Sequence, residues 1–181
     1  MLWLVAIALG MGLGLGAGGK LSNLGRLRFR WPLLLIGAVV LRQVVIFTPV
    51  RELVGAQYLY ALSIVLIVLW TIWHWNRLPG VWLVTLGGLL NLIVVLVNSG
   101  HMPVAHDFAA SELHGELLRR GTMGQYTVMT DQTHLNWLGD WISLRPIIHE
   151  GYSPGDMLIA LGLALIILVA LLRTPKSRFA L

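Results

Sequence analysis

The sequence lacks cysteine and is poor in charge. None of its 181 residues is cysteine, so disulfides, thiolate metal ligands and cysteine nucleophiles are excluded. Charged residues make up 12% of the chain, about half the ~25% of a typical soluble domain. Hydrophobic residues make up 57%, and the mean hydropathy is +0.78. These values predict a membrane protein, and the length of the chain predicts one membrane domain over residues 1–181.

Long apolar runs recur along the chain, and each is close to the ~17–25 residues that a helix needs to cross a bilayer. They predict an all-α integral membrane protein, a bundle of about five transmembrane helices. One long extracytoplasmic segment, residues 98–154, is expected to contain short interfacial helices. The predicted spans are residues 2–18, 32–48, 58–75, 81–97 and 155–172.

Basic residues are absent before the first apolar run and follow it at Lys20, Arg26, Arg28 and Arg30. A cleaved signal peptide carries its charges in front, so this run is predicted to be a retained span. Because cytoplasmic loops are rich in lysine and arginine, the N-terminus is expected outside and the C-terminus in the cytoplasm. The net charge of +5 therefore reports orientation in a lipid bilayer, and no nucleic-acid partner is expected.

The first run carries small residues every four positions, at Ala6, Gly10, Gly14 and Gly18. Such a smooth helix face allows another helix to approach closely. The pattern predicts packing with a partner helix, or a homo-oligomer, through Gly10, Gly14 and Gly18.

Three polar side chains interrupt the predicted spans: Arg42 and Gln43 in the second and Asn91 in the fourth. A charge at the centre of a membrane helix costs about 2.5–3.5 kcal/mol on insertion scales. Arg42 either reaches the nearby interface with its long side chain or pairs with a ligand or an acid of the 98–154 segment. The Asn91 amide is expected to hydrogen-bond a neighbouring helix.

Polar character is concentrated between the fourth and fifth spans, where residues 99–154 hold six acids and three bases. Residues 109–120 have the pattern of a short amphipathic helix. Residues 130–142 mix polar and apolar side chains, which is typical of an interfacial or re-entrant element. Ser153-Pro154-Gly155-Asp156 is a helix start, with serine as the N-cap and an acid at the third position.

A resemblance rests on three stretches of this half of the chain. They are Asn98 with Gly100-His101-Met102-Pro103-Val104, Thr133 with Leu138-Gly139-Asp140, and Ser153-Pro154-Gly155-Asp156 before the last span. Together they resemble an uncharacterised family of small bacterial polytopic membrane proteins, a domain of unknown function. The resemblance covers nearly the whole chain. It implies a bacterial cell (inner) membrane and about five spans, and it carries no activity or cofactor.

A metal site is one hypothesis for the 98–154 segment. Imidazole nitrogens and carboxylate oxygens are the ligands that zinc and similar ions take. The spacing matches no standard motif. The candidate ligands are His101, His106 and His134, with His114, His149, Asp107, Asp131 and Asp140 in addition.

A membrane hydrolase with paired carboxylates is a second hypothesis, because two aspartates that share a proton can activate water. The stretch Asn136–Ile142 is faintly similar to the asparagine–aspartate signature of lipoprotein signal peptidases. That family has four spans and a second aspartate in an Asn-x-x-Asp-Arg context, which this chain lacks. Asp140 and Asp156 would form the pair here, with Asp131 as a further candidate.

The third hypothesis, and the one we favour from the sequence, is non-enzymatic. The 98–154 segment would close the outer end of the bundle, and the protein would bind a partner or a small ligand there. Polar residues in and near the spans would line the pocket. The candidates are Arg42, Gln43, Asn91, Asn98, His101, Thr133, His134 and Asn136.

Overall fold

The computed structural model describes residues 1–106, 120–144 and 148–173, with the side chains of 148–150 excepted. The described chain is mostly helical. Its long helices are α1 (Leu2–Gly16), α2 (Pro32–Phe47), α3 (Ala56–Trp73), α4 (Val81–Val97) and α5 (Pro154–Leu172). Short 3-10 helices lie at Leu21–Arg26, Pro49–Glu52 and Asn136–Leu138.

Each apolar run that the sequence predicts as a span forms one of these helices, with ends that differ by two residues or fewer. Two of them, α3 with 18 residues and α5 with 19, are long and apolar enough to cross a membrane. The other three are apolar but shorter, with 15, 16 and 17 residues. Length and composition thus indicate membrane association, while the count of five spans stays a prediction.

The helices pack side by side in the order α1, α5, α4, α3, α2, so α5 lies between the first helix and the fourth. Glycine permits this close approach. A Cβ atom on Gly10 would lie 2.5 Å from the carbonyl oxygen of Ala164, and one on Gly14 would meet Leu171. Both glycines therefore face α5 of the same chain. Gly18 lies in the turn after α1 with a φ of +86°, and a partner or homo-oligomer contact stays a prediction.

The described part of the polar segment after α4 contains one short 3-10 helix, Asn136–Leu138, and is otherwise different from the short interfacial helices that the sequence predicts. Its described residues form five short strands, so the expectation of an all-α protein is wrong here. The strands are β1 (Met102–Val104), β2 (Thr122–Met123), β3 (Tyr126–Val128), β4 (Ile142–Leu144) and β5 (Ile148–Tyr152). Their aromatic and β-branched residues favour extended backbone. The predicted amphipathic helix over 109–120 lies outside the described residues, apart from Arg120.

These strands form two small sheets. In the first, the order is β1-β3-β2, with β1 parallel to β3 and β2 antiparallel to it. In the second, β4 pairs with β5 in antiparallel fashion. Both sheets lie where α2 and α4 end and where α3 and α5 begin, and we call this the sheet end of the molecule. The opposite end carries residues 17–31 and 74–80, and we call it the basic end.

The helices leave much apolar surface uncovered. In α2 the structure buries only Ala38 and Val45, whereas Leu33 is 79% and Phe47 is 74% exposed. Monomeric soluble proteins rarely expose contiguous apolar patches larger than a few hundred Å². The outer faces of these helices therefore match an apolar environment better than they match water.

Candidate functional site

Asp140 is fixed at the sheet end by its backbone. Its N–H donates to the carbonyl oxygen of Pro103 (2.8 Å), and its own carbonyl oxygen accepts from the N–H of Ala105 (3.0 Å). These two bonds form a parallel bridge between Asp140 and Val104. Strand β1 thus lies between β3 and Asp140, and the residues that leave α4 determine where this side chain is held.

The carboxyl group of Asp140 is buried and incompletely satisfied. The residue is 8% exposed, and its Oδ1 atom has no hydrogen-bond partner among the described residues. Burial raises the pKa of Asp140 well above its usual range, and the charge of Asp156 raises it further, while Arg42 opposes the shift. Buried polar atoms nearly always have partners, so the unpartnered oxygen on a carboxyl of raised pKa makes Asp140 a candidate for a functional residue.

Asp156 is held by the start of α5 and by α4. Its Oδ2 accepts from the N–H of Ser153 (3.2 Å), and the hydroxyl of Ser153 accepts from the N–H of Asp156 (2.9 Å). This is the capping box that the sequence predicts. Its Oδ1 accepts from the amide of Asn91 (3.0 Å), whose oxygen accepts from Ser153 Oγ (2.8 Å). The expected interhelical bond of Asn91 is therefore present, and both oxygens of Asp156 are engaged.

Arg42 points toward this network from α2. Its Nη2 atom lies 3.5 Å from the hydroxyl of Tyr60, and its guanidinium carbon lies 5.4 Å from the centre of that ring. The two side chains are level because Arg42 is near the end of α2 and Tyr60 is near the start of the antiparallel α3. The charge of Arg42 also acts on Asp140 and Asp156. Arg42 thus interacts electrostatically with acids at the sheet end.

Tyr126 of β3 joins the same cluster. Burial raises the pKa of its hydroxyl, and Tyr60 and Asp140 raise it further. The neutral phenol is therefore maintained throughout the ordinary pH range. We use the name carboxyl cluster for Arg42, Tyr60, Tyr126, Asp140 and Asp156.

Four other predicted pocket residues stabilise the polar segment. Asn98 donates to the carbonyl oxygen of His134 (2.8 Å) and accepts from its N–H (2.8 Å). Thr133 donates to Asn136 Oδ1 (2.7 Å), and Asn136 donates to the carbonyl oxygen of Thr130 (3.1 Å). Asn98 thus joins the end of α4 to the 130–136 loop. His134 makes this contact through its backbone, and the residue is exposed to solvent.

The remaining candidates lie apart from the cluster. Gln43 is exposed on α2, and Asp131 and His106 are exposed in the segment that follows α4. His101 is half-buried, with its Nδ1 atom 3.3 Å from the carbonyl oxygen of Asn98.

The metal hypothesis gains no support from the described residues, among which no three histidine, aspartate or glutamate side chains come together to hold an ion. His101, His106 and His134 are not grouped there. Asp107, His114 and the side chain of His149 lie outside the described residues, so their part in that hypothesis stays a prediction.

Two members of the cluster, Tyr60 and Tyr126, were not predicted as site residues. Tyr60 has the position of a membrane-interface tyrosine, yet it is only 4% exposed. The position of Tyr60 in the helix pair would have indicated its role. Tyr60 lies one turn from the start of α3, opposite Arg42, which lies one or two turns from the end of α2. Tyr126 had no comparable signal, since only the pairing of β3 with β1 brings it to the cluster.

The fold and the cluster together define a class: a mostly helical protein, with two helices long and apolar enough to cross a membrane, that groups charged and phenolic side chains at one end. Residues 26–168 match a family of unknown function (DUF5317). Since the match spans most of the chain, this protein belongs to that family, which agrees with the unknown-function family that the sequence resembles. No curated protein and no solved structure matches the chain.

Proposed function

We propose that this protein is a five-span membrane protein that binds a small polar ligand at the carboxyl cluster. The single observation that carries the binding proposal is the buried Oδ1 of Asp140, which lacks a partner among the described residues. In this proposal the N-terminus and the sheet end are outside, the C-terminus is cytoplasmic, and the membrane is the bacterial inner membrane.

The exposed apolar residues support five spans over two. Every long helix carries large hydrophobic side chains on its surface, including Leu13 of α1 (62% exposed) and Leu96 of α4 (58% exposed). If only α3 and α5 crossed the bilayer, the apolar faces of the other three helices would be in water. A 17-residue helix such as α4 spans about 25 Å, which a modest thinning of the bilayer accommodates.

The charges of the cluster indicate the class of ligand. The guanidinium of Arg42 and the carboxylate of Asp156 offset each other. The raised pKa of Asp140 favours its neutral form. A ligand with a net charge would disturb this balance in a buried setting, where an unpaired charge is strongly disfavoured. We therefore propose an uncharged molecule that donates a hydroxyl or amide hydrogen to Asp140 Oδ1.

An aspartate-pair hydrolase is the second candidate, because the charges of Asp140 and Asp156 interact. Two coupled carboxyls with different protonation states are the arrangement that activates water in such enzymes. The binding proposal is the better supported of the two. Both oxygens of Asp156 already accept hydrogen bonds, from Asn91 and from the backbone of Ser153, which leaves Asp156 little freedom to position a water molecule.

Two substitutions of Asp140 test the proposal and separate the two candidates. Asp140→Ala removes the acceptor, and Asp140→Asn retains an acceptor oxygen without a carboxyl proton. We would screen the purified protein in mild detergent for thermal stabilisation by uncharged polyols, sugars and primary amides. A compound that stabilises the unmodified protein should lose its effect in Asp140→Ala and retain most of it in Asp140→Asn.

The matched control is Asp131→Asn, at an exposed aspartate of the same segment, which should leave the stabilisation unchanged. Stabilisation that survives Asp140→Ala would refute the binding site. Hydrolysis of a peptide or ester substrate that is lost in both Asp140 variants, with folded yield unchanged, would establish the hydrolase instead.

A further inference from the structure

The basic end contains a buried histidine whose hydrogen bonds fix its tautomer. His74, at the end of α3, is fully buried. Its Nε2 atom accepts from the backbone N–H of Arg30 (3.1 Å), so the ring proton is on Nδ1, which donates to the carbonyl oxygen of Trp70 (2.8 Å). The indole N–H of Trp70 in turn donates to the carbonyl oxygens of Arg30 (3.0 Å) and Trp31 (3.1 Å). These bonds join residues 30–31 to α3.

An apolar groove of about 300 Å³ lies beside this histidine, between the start of α2 and the second half of α3. Binding cavities for small molecules have volumes of ~300–1,000 Å³, so the groove is large enough for part of a lipid chain. Besides His74, its walls are Trp31, Leu34, Leu66, Leu69, Trp70 and Trp73. Both ring nitrogens of His74 and the indole N–H of Trp70 are already bonded within the protein. The groove therefore offers a hydrocarbon surface to its occupant.

Arginine side chains stand next to this groove. The backbone at Leu27 is extended. Leu27 and Phe29 are half-buried, whereas Arg28 and Arg30 are exposed, which is the alternation of an extended segment with one face on the protein. Phe29 packs against Trp70 (ring centroids 5.3 Å apart) and His74 (5.5 Å). Because Phe29 is between them in the chain, Arg28 and Arg30 are held near the wall of the groove.

The charge at this end is of one sign. Among the described residues, 17–31, 74–80 and Arg173 contain six lysines and arginines and no aspartate or glutamate. Each basic residue near an anionic lipid surface contributes about 1 kcal/mol, or about fivefold in affinity. An apolar groove beside a purely basic segment is complementary to a molecule with a long hydrocarbon chain and an anionic head.

We propose that the groove is a binding site for an anionic phospholipid. One acyl chain lies between α2 and α3 against Trp31 and Leu69, and the phosphate meets Arg28 and Arg30. This proposal rests on the proposed function in one respect, namely that the protein spans a membrane. It is independent of the carboxyl cluster, so either site can fail without the other.

The test is native mass spectrometry of the full chain in mild detergent with phosphatidylglycerol or phosphatidylcholine of identical acyl chains. We expect phosphatidylglycerol to bind at least about tenfold more tightly. Arg28→Gln and Arg30→Gln should each weaken phosphatidylglycerol about fivefold and leave phosphatidylcholine unchanged. Leu34→Trp, which fills the groove, should weaken both lipids.

Lys20→Gln is the matched control, because Lys20 is at the same end but beside α5, where its N–H donates to the carbonyl oxygen of Leu171. It should change phosphatidylglycerol binding less than twofold. Equal affinity for the two lipids would overturn the proposal. An equal loss of phosphatidylglycerol affinity in Lys20→Gln and Arg30→Gln would indicate a diffuse electrostatic attraction without a specific site. Unchanged lipid binding in Leu34→Trp would show that the groove is not where the acyl chain binds.

Discussion

The two ends of the helices both bury polar side chains, but they satisfy them differently. At the basic end, His74 is fully buried and each ring nitrogen has a protein partner. At the sheet end, Asp140 is nearly as buried, yet one carboxyl oxygen has no partner among the described residues. A satisfied buried group stabilises a fold, whereas an unsatisfied one destabilises it by about 1–3 kcal/mol. The comparison therefore favours a structural role for His74 and supports the proposal that Asp140 binds a ligand.

The largest change in stability is expected when the hydrogen bonds of His74 at the basic end are removed. His74→Phe removes both bonds and leaves the N–H of Arg30 and the carbonyl oxygen of Trp70 without partners. We expect a loss of about 2–3 kcal/mol in the free energy of unfolding, measured by SDS titration in mild detergent. Trp75→Phe is the control at an exposed neighbouring position and should change stability by less than about 0.5 kcal/mol. A similarly small loss in His74→Phe would show that the two ends do not differ in this way.

A smaller change in stability is expected when the charge of Arg42 is removed. This change tests whether Arg42 interacts electrostatically with the acids of the sheet end. Arg42→Leu removes the charge that offsets the carboxylate of Asp156, and we expect a loss of about 1–2 kcal/mol in the free energy of unfolding. If this pairing carries the loss, Arg42→Leu should cost about 1 kcal/mol less in the background of Asp156→Asn. The four proteins of this double-mutant cycle would be compared by the same SDS titration. Additive effects would mean that Arg42 contributes only through Tyr60 and the membrane interface.

The smallest effect concerns pH. The pKa of Asp140 is raised in the folded protein, so the folded state holds a proton that the unfolded state releases near its usual pKa of ~3.9. Stability should accordingly fall as the pH rises from about 4 through the folded-state pKa. Asp140→Asn should remove that part of the pH dependence, as measured by thermal unfolding at several pH values. A curve with the same slope in both proteins would contradict the burial of a neutral carboxyl.

The sequence was informative about the helices because their signal is local. The run that ends at Val97 is apolar throughout, and Ser153-Pro154-Gly155-Asp156 contains a complete helix start, so both elements follow from neighbouring residues. The interhelical hydrogen bond of the buried Asn91 was also predicted from the sequence, since an amide in an apolar helix finds few hydrogen-bond partners except on a neighbouring helix. The short strands did not follow, because β1 needs the partner β3 more than twenty residues away.

The candidate site shows the same difference between what local sequence patterns predict and what long-range contacts decide. Among the predicted residues, Arg42, Asn91, Asp140 and Asp156 come together at the sheet end, whereas Gln43 and Asp131 are exposed elsewhere. Spacing along the chain cannot distinguish these two groups, since Gln43 is the immediate neighbour of Arg42. The rotation of α2 against α3 decides which of the two faces Tyr60.

The sequence by itself determined that this is an apolar, cysteine-free chain with five helices, a basic end and a polar segment between the last two helices. Those properties follow from composition, periodicity and capping, each of which acts over a few residues. Only the tertiary structure decided that α5 lies between α1 and α4, that β1 holds Asp140 in place, and that Asp140 is buried near Asp156 and Arg42. These relations depend on contacts between residues far apart in the chain, and their burial and electrostatics exist only once the chain is folded.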